Sequence, residues 1–214
     1  MRPINRWYLI LLASVLITAP AYADTFFFKN ITGNNVANAT AGESQLSVEV
    51  TAGPTGQVIF HFNNAGPAAS SITDVYFDDG TLLGIANLVE SSGVHFTAGS
   101  ANPGNLPGDN NVSPSFQVTE YFLADSDSPA QPNGVNPGEY LEIHFNLING
   151  KTLAETIASL LSGELRIGIH VQGFADGGSE SFINAPHPVP ESATMMLIGF
   201  GLVGLAAFGR KKLA

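Results

Sequence analysis

The chain has 214 residues, of which 44% are hydrophobic, and its formal net charge is −10 at pH 7. It contains no cysteine, which excludes disulfides, thiol catalysis and cysteine-based metal sites. Residues 24–189 hold 17 of the 18 acidic residues but only three of the eight basic ones, so this segment has a net charge of −14. Because nucleic acids are also strongly negative, this charge excludes them as partners.

The N-terminal segment has the layout of a secretory signal peptide. Two arginines, Arg2 and Arg6, precede an almost wholly apolar stretch over residues 7–17. A small-x-small pattern and the residue after it mark the cleavage site: Ala21, Ala23 and Asp24. We therefore predict that residues 1–23 direct the chain to the general export machinery and are removed.

Residues 24–185 are predicted to form one mainly β domain, because apolar and polar residues alternate along most of this segment. The predicted strands cover residues 46–51, 57–63, 72–77, 81–88, 92–97, 115–123, 140–148 and 165–174. The turn at Asp78, Asp79 and Gly80 is expected to pair the third strand with the fourth. The pattern favours an antiparallel two-sheet β-sandwich of jelly-roll or immunoglobulin-like order.

One short helix is predicted between the last two strands. Thr152 and Glu155 have the spacing of a capping box, apolar residues follow at helical spacing, and Gly163 is placed to end the helix. Two long segments rich in Gly, Pro and Asn, residues 98–114 and 124–138, are predicted to be loops.

Four histidines lie between large apolar residues on predicted strands: His61, His95, His144 and His170. Alternation places each imidazole on the face opposite its apolar neighbours. His61 then shares a face with Gln57 and Asn63, and His144 shares one with Glu142. If the strands are adjacent, imidazoles and carboxylates can converge on a metal ion. The alternative is a polar outer face that tolerates histidine.

Acidic residues form a second candidate site, for Ca²⁺. The proposed ligands cluster around two turns: Asp74, Asp78, Asp79, Asp125 and Asp127. Calcium binds several oxygen ligands on adaptable loops, although solvated acidic turns give the same pattern. No catalytic motif is recognisable, so the body is predicted to be non-enzymatic. A polysaccharide hydrolase with two paired carboxylates is the enzymatic alternative.

The C-terminal segment combines a short motif, an apolar stretch and a basic end. Residues 186–192 form a proline-rich linker that ends in Val189, Pro190, Glu191 and Ser192. The uncharged residues 193–209 make a helix about 25 Å long, enough for a short single transmembrane span. Arg210, Lys211 and Lys212 follow and are predicted to stop transfer, which leaves residues 210–214 in the cytoplasm.

This C-terminal segment resembles the PEP-CTERM sorting tail, on the strength of Pro190-Glu191-Ser192, the glycine-containing apolar stretch and the basic cluster. The usual motif is Pro-Glu-Pro, and Ser192 replaces its second proline. The resemblance implies recognition by exosortase, a membrane enzyme of bacteria that make extracellular polysaccharide, with cleavage near the motif.

Together, these features predict an exported cell-surface or extracellular-matrix protein that passes through a single-span precursor in the inner membrane. Exosortase and the export machinery are the expected partners, and extracellular polysaccharide is a further candidate. The alternative function is a calcium- or glycan-binding module of the matrix.

Overall fold

The computed structural model describes residues 23–99, 103–119 and 121–185. Within these residues the strands are β1 (Asp24–Asn30), β2 (Leu46–Ala52), β3 (Gln57–Asn64), β4 (Ser71–Asp78), β5 (Leu82–Glu90), β6 (Phe96–Ala98), β7 (Leu123–Ser126), β8 (Tyr140–Leu147), β9 (Arg166–Gln172) and β10 (Glu180–Asn184). The α-helices are α1 (Val36–Gln45), α2 (Ala130–Asn133) and α3 (Leu153–Ser162).

The strands form one continuous antiparallel sheet in the order β5-β8-β3-β2-β1-β10-β9-β4-β7-β6. Strand β1 connects its two halves, because residues 24–27 pair with β2 and residues 28–30 pair with β10. The edge strands β5 and β6 approach each other across a groove of about 410 Å³. The sheet is therefore nearly closed and barrel-like.

The mainly β prediction is confirmed, but the predicted two-sheet sandwich is corrected to this single sheet. The strands form one sheet because β1 changes partners along its length. Its first residues are hydrogen-bonded to β2 in one half of the sheet and its last residues to β10 in the other half. The predicted pairing through Asp78, Asp79 and Gly80 is also wrong. β5 pairs with β8, whereas β4 pairs with β9 and β7, so the turn crosses between the two halves.

The core fills the inside of the curved sheet. Phe60, Phe77 and Phe145, from β3, β4 and β8, meet with ring centroids 4.6–5.6 Å apart in edge-to-face arrangements. Helix α3 adds the buried Leu160 to this cluster. The predicted capping box of α3 is present, and Gly163 ends the helix with φ of 78°.

Helix α1 was not predicted, because its residues carry no apolar stripe. It begins after Asn35, whose side-chain oxygen accepts hydrogen bonds from the backbone of Ala37 and Asn38. Its buried Gly42 lies directly on the ring of Phe182, a core residue of β10. The helix is therefore held by close backbone approach rather than by a broad apolar face.

Among the described residues, no helix is long and apolar enough to cross a membrane. The predicted spanning segment, residues 193–209, lies outside the described residues, as does the signal peptide up to residue 22. Ala23 is exposed, and Asp24, the predicted first residue of the processed chain, is the first residue of β1.

We predict that Gly42→Ala destabilises the protein by about 1–3 kcal/mol, because the new methyl group overlaps the Phe182 ring. The same change in an exposed helix stabilises by about 1 kcal/mol. Chemical denaturation measures the difference. A smaller penalty is expected in a Phe182→Leu background, since removing the ring relieves the overlap. A stabilising Gly42→Ala would contradict this packing.

Candidate functional site

The candidate site lies on the outer face of β10, β9, β4 and β7, where a β-bulge reorients one strand. Register shifts between Ile72 and Asp74, so Ile72 and Val75 both face the core. Without the bulge, strict alternation would place Asp74 on the same face as Ile72. The bulge instead places Asp74 beside His170, and bulges commonly redirect side chains at functional sites.

Four polar residues lie in register across these four strands. Ser181 on β10 pairs with His170 on β9, His170 pairs with Asp74 on β4, and Asp74 pairs with Asp125 on β7. His170 Nδ1 lies 3.5 Å from Asp74 Oδ2. The Thr73 hydroxyl donates to the same Oδ2 at 2.8 Å. We call Ser181, His170, Asp74 and Asp125 the polar row.

The polar row is deeply buried. Ser181 is 0% exposed, Asp74 1% and His170 9%, while Asp125 is partly exposed. Within the described part of the chain, Asp74 Oδ1, His170 Nδ1 and Ser181 Oγ are buried and make no hydrogen bond. Native proteins satisfy most buried polar atoms, so this concentration makes the polar row the strongest candidate site among the described residues.

A loop covers the neighbouring part of this outer face. Leu106 and Phe116 pack with Tyr76, and the absence of a side chain at Gly168 gives them room. The Tyr76 hydroxyl donates to the carbonyl of Pro103 at 2.7 Å. Burial raises the pKa of Tyr76 far above its usual value, and the carboxylates of Asp74 and Asp125 raise it further. Tyr76 is therefore a neutral hydrogen-bond donor.

The same loop includes most of the predicted strand 115–123, and this prediction is wrong for residues 115–119, 121 and 122. Arg166 donates to the carbonyl oxygens of Pro114 at 2.6 Å and Ser115 at 2.7 Å, and its guanidinium contacts Phe116. These contacts hold the segment against the sheet as an irregular loop. Periodicity alone could not show that a loop covers this face.

The five acids predicted to bind calcium do not form one cluster. Asp74 and Asp125 are brought together, as register partners in the polar row. Asp78 forms an ion pair with Arg166, and Asp127 accepts a hydrogen bond from Thr97 at 2.8 Å. Asp79 accepts from the backbone of Leu82 at 3.3 Å, and burial raises its pKa.

Among the residues that the structure describes, no three or more His, Asp or Glu side chains are already arranged as a set of metal ligands. The assignment of calcium to these acids stays a prediction. Sequence reasoning identified Asp74, Asp125 and His170 separately, but it missed Ser181 and the register that unites the four residues.

A second polar cluster lies on the outer face of β3 and β8, which are adjacent as the histidine pattern required. Glu142 contacts His61 Nδ1 at 3.2 Å and His144 Nε2 at 3.0 Å through its two different oxygens. The ring of Tyr140 stacks on His61 with centroids 4.7 Å apart. Burial favours the neutral acid, but the hydrogen bonds from His144 and His61 outweigh it and lower the pKa of Glu142.

The comparisons with known proteins concern the other end of the chain. The family model described as the PEP-CTERM protein-sorting motif matches residues 188–212. This match confirms the resemblance, so the chain carries the tail of an exported protein that exosortase processes and that is sorted to the cell surface. No curated protein and no solved structure matches the chain. The predicted motif and stop-transfer residues lie outside the described residues.

We predict that Glu142→Gln lowers the free energy of unfolding by about 1 kcal/mol at pH 6, because it weakens two hydrogen bonds to a charged group. The folded-state pKa of Glu142 lies below its unfolded value of about 4.3, so its stabilisation is present above that value. It is lost as the pH falls through the folded-state pKa.

Chemical denaturation of the wild type and of Glu142→Gln between about pH 6 and pH 3 tests this prediction. The difference between their free energies of unfolding should shrink as the pH falls. The control is a His61→Gln/His144→Gln background, in which Glu142 has lost both partners and Glu142→Gln should cost little at any pH. A gap that persists at the lowest pH would argue against the assigned role of Glu142.

Proposed function

We propose that this chain is a non-enzymatic cell-surface or extracellular-matrix protein, delivered through an inner-membrane precursor that an exosortase-like enzyme cuts near Pro190–Ser192. The single observation that carries this proposal is the sorting-motif match over residues 188–212. The general export machinery first moves residues 24–185 across the membrane, and these residues then fold outside the cytoplasm.

The order of features in the tail supports a mechanism for this sorting step. Prolines stand on both sides of Val189, and residues that precede proline favour an extended backbone, which an enzyme can reach. The uncharged residues 193–209 anchor the motif at the outer surface of the membrane. Arg210, Lys211 and Lys212 stay on the cytoplasmic side and fix the depth of the span.

The buried state of the polar row supports a non-enzymatic body. Ser181, His170 and Asp74 follow the order of a nucleophile, a base and an acid across adjacent strands. A nucleophile must reach its substrate, however, and Ser181 is 0% exposed. The strongly acidic body fits a soluble component of a hydrated polysaccharide matrix rather than one that binds anionic surfaces.

We predict that replacing Arg210, Lys211 and Lys212 together with Glu leaves unprocessed or mislocalised precursor, because the cations no longer hold the span in place. Immunoblotting of membrane and surface fractions in the native host measures the precursor. Arg210→Lys keeps the charge and should be processed normally. Normal processing of the triple variant would show that the basic cluster has no role in sorting.

A further inference from the structure

Three buried polar atoms of the polar row have no hydrogen-bond partner among the described residues. Leaving a buried donor or acceptor unsatisfied costs about 1–3 kcal/mol, and Asp74 Oδ1, His170 Nδ1 and Ser181 Oγ all stand in this position within the described residues. A shared group that contacts several of them removes several penalties at once. The arrangement therefore favours a ligand of the row over an empty, merely structural cluster.

The charges of the row favour a cation as that group. Asp74 and Asp125 are direct register partners, and like charges placed directly opposite each other in a sheet are destabilising. Strands β4, β7, β9 and β10 contain no lysine and only one arginine, Arg166, which is paired with Asp78.

The donor atoms indicate which kind of cation fits. The row offers one imidazole nitrogen, two carboxylates and a hydroxyl, a mixed set that suits Zn²⁺ and Mn²⁺, whereas Ca²⁺ takes oxygen ligands. His170 Nδ1 and Asp74 Oδ2 are 3.5 Å apart. Two ligands about 2.0–2.1 Å from a tetrahedral Zn²⁺ are separated by about 3.3 Å, so this spacing fits two ligands of one ion.

We propose that Asp74, His170 and Asp125, on three adjacent strands, bind one Zn²⁺ or Mn²⁺ ion. Asp74 and His170 are buried, so their side chains have little room to move. Asp125 is the partly exposed member at the end of the row, and rotation of its side chain completes the ligand set. The rotation is needed because the three side chains do not yet surround one point.

This ion would link β9, β4 and β7 beside the loop that Tyr76 and Arg166 hold. It would thereby supply a cross-link in an exported domain that has no cysteine for a disulfide. The bulge at Thr73 then has a function, since it is the feature that turns Asp74 away from the core and toward His170.

The test uses the purified full-length protein in detergent, without a polyhistidine tag and stripped of metal with a chelator. Calorimetric titration with ZnCl₂, MnCl₂ and CaCl₂ measures stoichiometry and affinity. We expect about one equivalent of Zn²⁺ or Mn²⁺, and at least about tenfold weaker binding in His170→Gln, Asp74→Asn and Asp125→Asn. The ion should also raise the melting temperature of the wild type.

Two matched controls separate this site from the rest of the surface. Asp127→Asn removes an acid two residues from Asp125, and His61→Gln removes an imidazole of the second cluster. Both should bind the ion as the wild type does. If Asp74→Asn fails to fold, the partly exposed Asp125 still decides the outcome.

Three results would overturn the inference. One is no binding of Zn²⁺ or Mn²⁺ by the wild type at millimolar concentration. Another is binding that His170→Gln and Asp125→Asn leave unchanged, including a Ca²⁺ site indifferent to His170. The third is binding that disappears in His61→Gln, which would move the site to the outer face of β3 and β8.

Discussion

The order of the whole sheet follows from a change of partners within β1. Residues 24–27 complete one half of the sheet against β2, and residues 28–30 begin the other half against β10. Without this strand, the two halves would each have a long unpaired edge, which natural proteins avoid. β1 starts at Asp24, the residue that the predicted signal cleavage would leave at the N-terminus.

The closed sheet also explains why polar chemistry is found on the outside. Aromatic and aliphatic side chains fill the interior, so polar residues of the strands must face outward. One outer face carries the half-buried cluster around Glu142, while the other carries the buried polar row, next to the loop that packs on Tyr76. Burial gives Asp74 and His170 a dry setting, in which an unpaired charge is costly and a cation would be favoured.

The sequence could reveal local features but not the long-range arrangement. Alternation identified most central strands, and the capping box at Thr152 with Gly163 located α3, because these signals come from neighbouring residues. Helix α1 was missed because Gly42 contributes close approach instead of apolar area. The polar row was missed because its members lie on four strands that are far apart in the chain. Only the register between those strands shows that His170 lies between Ser181 and Asp74.

We infer that the chain is exported and that one segment is removed from each end, and mass spectrometry of the mature protein from its native cell surface measures both ends. We expect an N-terminus at Asp24 and a C-terminus close to residues 190–192, without the segment 193–214. Recovery of the intact 214-residue chain, or its presence in the cytoplasm with both ends retained, would show that this inference is wrong.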